Sequence, residues 1–200
     1  MIEPEETFSF WQLVRRADRC QKYKEGLYVI DGQTIPAYGG GLCMLSDLLF
    51  WMFLHTPLTI VERHGHAALS FPSTTETFPQ GVDATVNEGW LDLKVCNETD
   101  HAFQITLWFD ENRIYGRIGA QNALHIEYSV FNSSVSYRRQ GGKVYQTSSV
   151  CRVETDRNSG RRIERELYSN RCQIAYRLPD TIMIEEEEDG IFFPQNAEYV

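Results

Sequence analysis

The stretch Gly39 to His66, GGGLCMLSDLLFWMFLHTPLTIVERHGH, puts a cysteine behind three glycines at the expected start of an apolar helix and two histidines two residues apart downstream. Cysteine attacks as the thiolate. A helix N-terminus beside a histidine favours that form, because free N–H groups and the positive end of the helix dipole stabilise the anion. Cys43 meets the first condition, and either His64 or His66 can meet the second. Gly39, Gly40 and Gly41 let the backbone turn sharply, approach a substrate closely and offer N–H donors to a developing oxyanion. Asp83, in QGVDATV, is the acid that would fix the imidazole tautomer. Cys43 as nucleophile, His66 as base and acid, and Asp83 as orienter would act on an amide or peptide bond, by hydrolysis or by acyl transfer.

The same residues carry other readings. His64-x-His66 on a strand, with Cys43 or Glu62, offers three ligands of types that suit zinc, but H-x-H is weakly specific without a second paired motif. The glycine loop with Trp11, Tyr38 and Trp90 could instead form a non-catalytic surface for a peptide or cell-wall fragment, since aromatic rings beside backbone donors bind sugars and peptides without chemistry. In purely structural terms, Cys43 is a small core residue, His66 a satisfied buried polar group and Asp83 a cap for the turn at Gly81. No cofactor is implied.

The elements that must position these residues divide the chain in two. Ser9 can cap a short helix running to Arg16, with Phe10, Leu13 and Val14 on one face. LYVI, an Asp31-Gly32 turn and a second extended run predict a hairpin that delivers the chain to Gly39. From Leu42 the apolar residues recur at helical spacing around nearly the whole circumference, predicting a buried central helix that Thr56-Pro57 ends. LTIVE follows as a strand, and Glu62, His64 and His66 share one face if extended geometry persists. From Trp90 onward, alternating strands with turns at Asn97 to Asp100, Asp110 to Asn112, Gln121-Asn122 and Thr155 to Gly160 predict an antiparallel sheet. The fold class is α+β: a first half with a buried central helix and strand, then an antiparallel β-sheet. One domain spans residues 1–184, and an acidic tail, 185–200, is expected to stay solvated. The helix-Cys, strand-His, strand-Asp order resembles the core of transglutaminase-like and papain-like thiol enzymes.

Composition bounds the function. At 200 residues the chain can bury one substantial core, and a formal net charge of -9 argues against general affinity for nucleic acid or anionic membranes. The five cysteines, Cys20, Cys43, Cys96, Cys151 and Cys172, are far apart and odd in number, which fits reduced thiols. MIEPEETFSF has neither a basic start nor an apolar run, so the chain as given is expected to be cytoplasmic, with a longer natural N-terminus left open. Leu42 to Val61 is no membrane span, because Asp47, His55 and Pro57 interrupt it, and no transmembrane segment is expected. Asn97-Glu98-Thr99 reads as a polar turn. Arg152, Arg157, Arg161, Arg162 and Arg165 alternate with Glu154, Glu164 and Glu166, a pattern of cross-strand charge pairs rather than an anion site. The oligomeric state is undetermined.

ETFSFWQLV at Glu6 to Val14, the long stretch from Gly39 to His66, GVDATV at Gly81 to Val86 and LDLKVCNETDHAFQITLWF together resemble the VanW family. That family is named for an accessory protein of vancomycin-type glycopeptide resistance clusters in bacteria. The resemblance implies a bacterial protein acting near the cell envelope or peptidoglycan, without fixing a reaction. It also implies a short or truncated form, since members usually carry more chain before the ETFSFW motif. The sequence departs from the family pattern GGGLCQLSN at Met44 and Asp47, and has Ala67 where serine is common. A glutamine amide at position 44 could serve an oxyanion, whereas Met44 cannot.

Overall fold

A helix that is apolar on nearly every side must lie at the centre of whatever surrounds it. In the computed structural model, which describes residues 1–18, 23–30, 33–72, 78–111 and 113–186, that helix is α2 (Leu42–Leu54), with Leu49 and Phe53 wholly shielded from solvent. It starts at Gly41, whose φ of 87° suits glycine above other residues. It ends where the Thr56 hydroxyl donates to Phe53 O at 2.7 Å ahead of Pro57. His55 closes the last turn, its Nδ1 2.9 Å from Trp51 O.

Four elements precede α2. β1 (Thr7–Ser9) leads into α1 (Phe10–Asp18), capped as expected by Ser9, whose Oγ accepts the Gln12 N–H at 3.2 Å. β2 (Glu25–Ile30) and β3 (Gln33–Tyr38) form the predicted hairpin, with Glu25 opposite Tyr38; its Asp31-Gly32 turn lies outside the described residues. After α2 come β4 (Thr59–Glu62), β5 (Ala68–Leu69) and β6 (Lys94–Cys96).

The second half does not form the single antiparallel sheet that its alternation predicts. β6 leaves that half and pairs with both β1 and β4, setting Cys96 opposite Thr7 and Thr59. The physical reason is burial of its inward face: Val95 is completely covered, and Leu93 just ahead of the strand nearly so. β7 (Phe103–Phe109) and β8 (Ile114–Ala120) form a separate hairpin against α2, where a side chain on Gly116 would collide with Met52. β9 (Ile126–Gln140), β10 (Lys143–Asp156) and β11 (Arg162–Ile174) are antiparallel, but β5 and β12 (Glu185–Glu186) add at the two edges in parallel, so the five-stranded sheet is mixed. β9 joins two runs read separately in the sequence, LHIEYSVF and VSYRR. It turns into β10 at Gly141-Gly142, both at positive φ as a two-residue primed hairpin requires.

The acidic block begins with a short, exposed edge strand. Glu185 and Glu186, still exposed, pair with Arg138 and Arg139 across β12 and β9 at 3.1 and 3.0 Å. Residues 187–200 lie outside the described residues. On the β10–β11 hairpin, Arg152 and Arg165 both reach Glu154, which agrees with charge pairing. No described helix is long and apolar enough to cross a membrane, which leaves strand-built spans unaddressed.

The region before β7 is held by one buried amide. Asn97 is fully covered, donates to Ile2 O at 3.1 Å and His101 O at 2.8 Å, and accepts the Thr99 N–H at 3.1 Å and the Thr99 hydroxyl at 2.7 Å. This is the polar turn expected of Asn97-Glu98-Thr99. Replacing it should remove one of the two donors to Ile2 O and to His101 O and leave the Thr99 N–H and hydroxyl without their shared acceptor. Asn97→Ala is therefore expected to lower the unfolding free energy by about 2–4 kcal/mol, read from the urea midpoint at unchanged slope.

Candidate active site

The glycines do two different jobs. Gly39 and Gly40 spend their N–H groups on Lys24 O and Ala37 O, both at 3.1 Å, so they lock the hairpin to the helix and are not oxyanion donors, contrary to the sequence expectation. Gly40 O lies so close to Gly26 that a side chain there would strike it. The first N–H of α2 to be satisfied is that of Met44, on Gly41 O at 3.1 Å. Those of Leu42 and Cys43 have no partner among the described residues. The free donors thus sit at Cys43 itself.

The structure brings Cys43, His66 and Asp83 together. Cys43 is half-buried, its Sγ 3.7 Å from Thr85 Oγ1 and 3.9 Å from Val86 O, with the His66 ring beside it acting on its ionisation. His66 Nδ1 lies 2.6 Å from Asp83 Oδ2, which also accepts the His66 backbone N–H at 2.6 Å. One carboxylate oxygen therefore fixes both the backbone and the ring. The 83–86 segment is strapped to α2: Asp47 Oδ1 accepts the Ala84 N–H at 2.6 Å, and the Ser46 hydroxyl donates to Ala84 O.

Asp83's other oxygen belongs to Arg63, 2.6 Å away. The Arg63 guanidinium also donates to Asp83 O, Gly81 O and Asn170 Oδ1 while lying over the rings of Tyr168 and Phe50. Sequence reasoning missed Arg63, which stands in a run of titratable residues that reads as a solvated strand end. It also treated Asp47 only as a departure from a pattern. A carboxylate one turn from the cysteine on an otherwise apolar helix was the available signal.

The charges favour an ion pair. Burial pushes the Cys43 thiol up, but His66, Val86 and Thr85 together outweigh it and the net effect is downward. Burial likewise disfavours a charged His66, yet the bonds to Asp83 and Cys43 win and raise it to about 10. His66 is thus an imidazolium at neutral pH beside a thiol inclined to ionise. Since its folded value exceeds the ordinary 6.5, its contribution to stability is full below that value and is lost as pH rises through about 10.

The remaining sequence candidates separate. β4 ends at Glu62, so the shared face expected of Glu62, His64 and His66 does not form. His64 Nε2 instead meets Glu62 Oε1 at 3.1 Å, and Glu62 also takes Lys94 Nζ at 2.6 Å. Among the described residues no group of three or more His, Cys, Asp or Glu is set to hold a metal, so the Cys43, His64, His66 combination is not assembled. Trp11 donates its indole N–H to Leu91 O at 2.7 Å and packs edge-on to Phe10, which makes it part of the α1 packing. Tyr38 and Trp90 are each 77% exposed, at the hairpin end before the glycines and in the turn after Val86.

Removing one partner of a buried ion pair strands the other. Asp83→Ala should therefore cost roughly 3–5 kcal/mol in chemical denaturation. Glu88→Ala, which breaks the exposed Arg15–Glu88 pair, should change stability by under ~1 kcal/mol.

The sequence model described as VanW like protein matches residues 1–119. The chain is 44% identical over 187 residues to Vancomycin B-type resistance protein VanW of Enterococcus faecalis, covering 93% of this chain and 68% of that one. It is 36% identical over 98 residues to Uncharacterized protein YoaR of Bacillus subtilis, covering 49% of this chain and 31% of that one. No solved structure matches. The Cys43, His66 and Asp83 cluster lies wholly within the matched region, and the chain belongs to the VanW family.

Proposed function

We propose that this protein is a thiol-dependent enzyme acting on an amide or peptide bond of a cell-wall fragment, with Cys43 as nucleophile, His66 as general base and acid, and Asp83 as orienter. The observation that carries the reading is an imidazole bonded through Nδ1 to the Asp83 carboxylate and lying beside the Cys43 thiol. A place in vancomycin resistance is suggested by the name of the Enterococcus relative, and the wall-peptide substrate is our extension of it. A helix bearing the cysteine, followed by segments bearing the histidine and the acid, supports a transglutaminase-like arrangement of the site. A reducing compartment suits it, because the nucleophile has to stay a thiol.

The chemistry follows from the contacts. The Cys43 thiolate forms a bond to the substrate carbonyl carbon, and the carbonyl oxygen, now negative, takes hydrogen bonds from the Leu42 and Cys43 N–H groups. His66 gives its proton to the departing amine nitrogen as the C–N bond breaks, leaving a thioester on Cys43 and a neutral imidazole. Water, or a second amine, then attacks the thioester and loses a proton to His66, which restores the thiolate and imidazolium. Arg63 keeps Asp83 aimed at Nδ1 throughout, leaving Nε2 for the thiol and the leaving group.

A second reading is favoured by Tyr38 and Trp90, whose exposed rings near the cluster suit a module that binds peptide or sugar without turnover. The two readings part on Cys43→Ala. With cell-wall muropeptides as substrate, the enzyme reading expects cleavage or transfer in the parent chain, a thioester trapped by mass spectrometry, and a loss of more than about 10³-fold in Cys43→Ala and His66→Ala. Muropeptide binding that persists in Cys43→Ala, with no turnover in the parent chain across peptide and amine panels, would favour the binding module.

A further inference from the structure

Asp47 lies one helical turn beyond Cys43 on α2, so the two side chains leave the helix on the same face. Its Oδ1 takes the Ala84 N–H at 2.6 Å. On either side of that peptide, Asp83 reaches His66 and Arg63, and Thr85 reaches Cys43. Asp47 therefore fixes the register between the helix that carries the thiol and the segment that carries the acid. An amide oxygen could accept the same bond, so what a carboxylate adds is charge.

That charge has a definite environment. Asp47 is faced by Cys43 from its own helix, by Arg63 and His66 from the segment after β4, and by Asp83 from the strapped segment. Asp83 is shared between two cationic groups at 2.6 Å each, so its field at His66 is partly offset by Arg63. A second anion nearby restores the balance. We propose that Asp47 is a positioning residue for the Cys43 and His66 pair, which both registers the 83–86 segment against α2 and supplies a second negative charge facing His66. This inference rests on the thiol reading of the site. Burial pushes the Asp47 carboxyl up to about 6 despite the Ala84 bond, so it is charged at neutral pH and loses that charge as pH falls through about 6. Because the folded value is raised, keeping Asp47 ionised costs stability above that pH rather than adding to it.

The test is the pH titration of the His66 ring protons by NMR in the full chain, in the parent and in Asp47→Asn and Asp47→Ala, with urea midpoints at pH 7. Asp47→Asn is expected to titrate His66 at a midpoint about 0.5–1 pH unit lower, at unchanged or higher stability, because charge is lost and the acceptor kept. Asp47→Ala is expected to shift the midpoint likewise while lowering stability. A purely structural role would leave the Asp47→Asn titration superimposed on the parent's, and that result overturns the proposal. A lowered His66 midpoint alongside an inert Cys43 would count against thiol chemistry and still support the Asp47 assignment.

Discussion

The arrangement depends on where the charge of Arg63 goes. A guanidinium cannot shed its proton, so once its side chain is only 12% exposed it must be met by acceptors on every side. It finds the Asp83 carboxylate, two backbone carbonyls and the Asn170 amide, with Tyr168 and Phe50 against its faces. Arg63 stands just after β4, and those partners come from α2, the 81–83 turn and β11. One side chain thereby joins the helix that carries the thiol to the five-stranded sheet. Buried pairs of this kind add little net stability relative to an apolar replacement. Their consequence here is specificity: Asp83 has one orientation in which both its oxygens are satisfied, and that orientation presents Oδ2 to His66.

The grouping of Cys43, His66 and Asp83 was more legible in the sequence than the architecture. Cys43, His66 and Asp83 could be singled out because thiol chemistry restricts residue type, order and helix position, and those constraints are visible in one dimension. The buried helix, the Ser9 cap and the hairpin before the glycines were legible for a similar reason: local pattern decides them. The partnership of β6 was not, since alternation in KVC says that a strand forms but not which strands flank it. The parallel edges β5 and β12 are two residues each, too short to leave a periodic signal. Arg63 was invisible because burial of a charged side chain depends on partners as distant as Asn170.

The glycine run shows how one motif can be read correctly in kind and wrongly in detail. Two of its three glycines are structural, since the N–H groups of Gly39 and Gly40 are consumed by the preceding hairpin and only Gly41 starts the helix. Tight closure of that loop is what leaves the first N–H groups of α2 free beside the Cys43 sulfur. The same economy holds for Asp83, whose Oδ2 bonds both the backbone and the ring of His66. Position and charge are set by the same contacts, so a change in one alters the other.

The central claim is that Cys43 and His66 form a thiolate and imidazolium pair near neutral pH. The most direct measurement is the rate of Cys43 alkylation against pH, resolved from the other cysteines by peptide mass spectrometry, in the parent chain and in His66→Ala. The account predicts a midpoint well below the ~8.5 of an ordinary thiol in the parent, moving to or above that value without His66. A parent midpoint at or above the ordinary value, or a profile indifferent to His66, would contradict it.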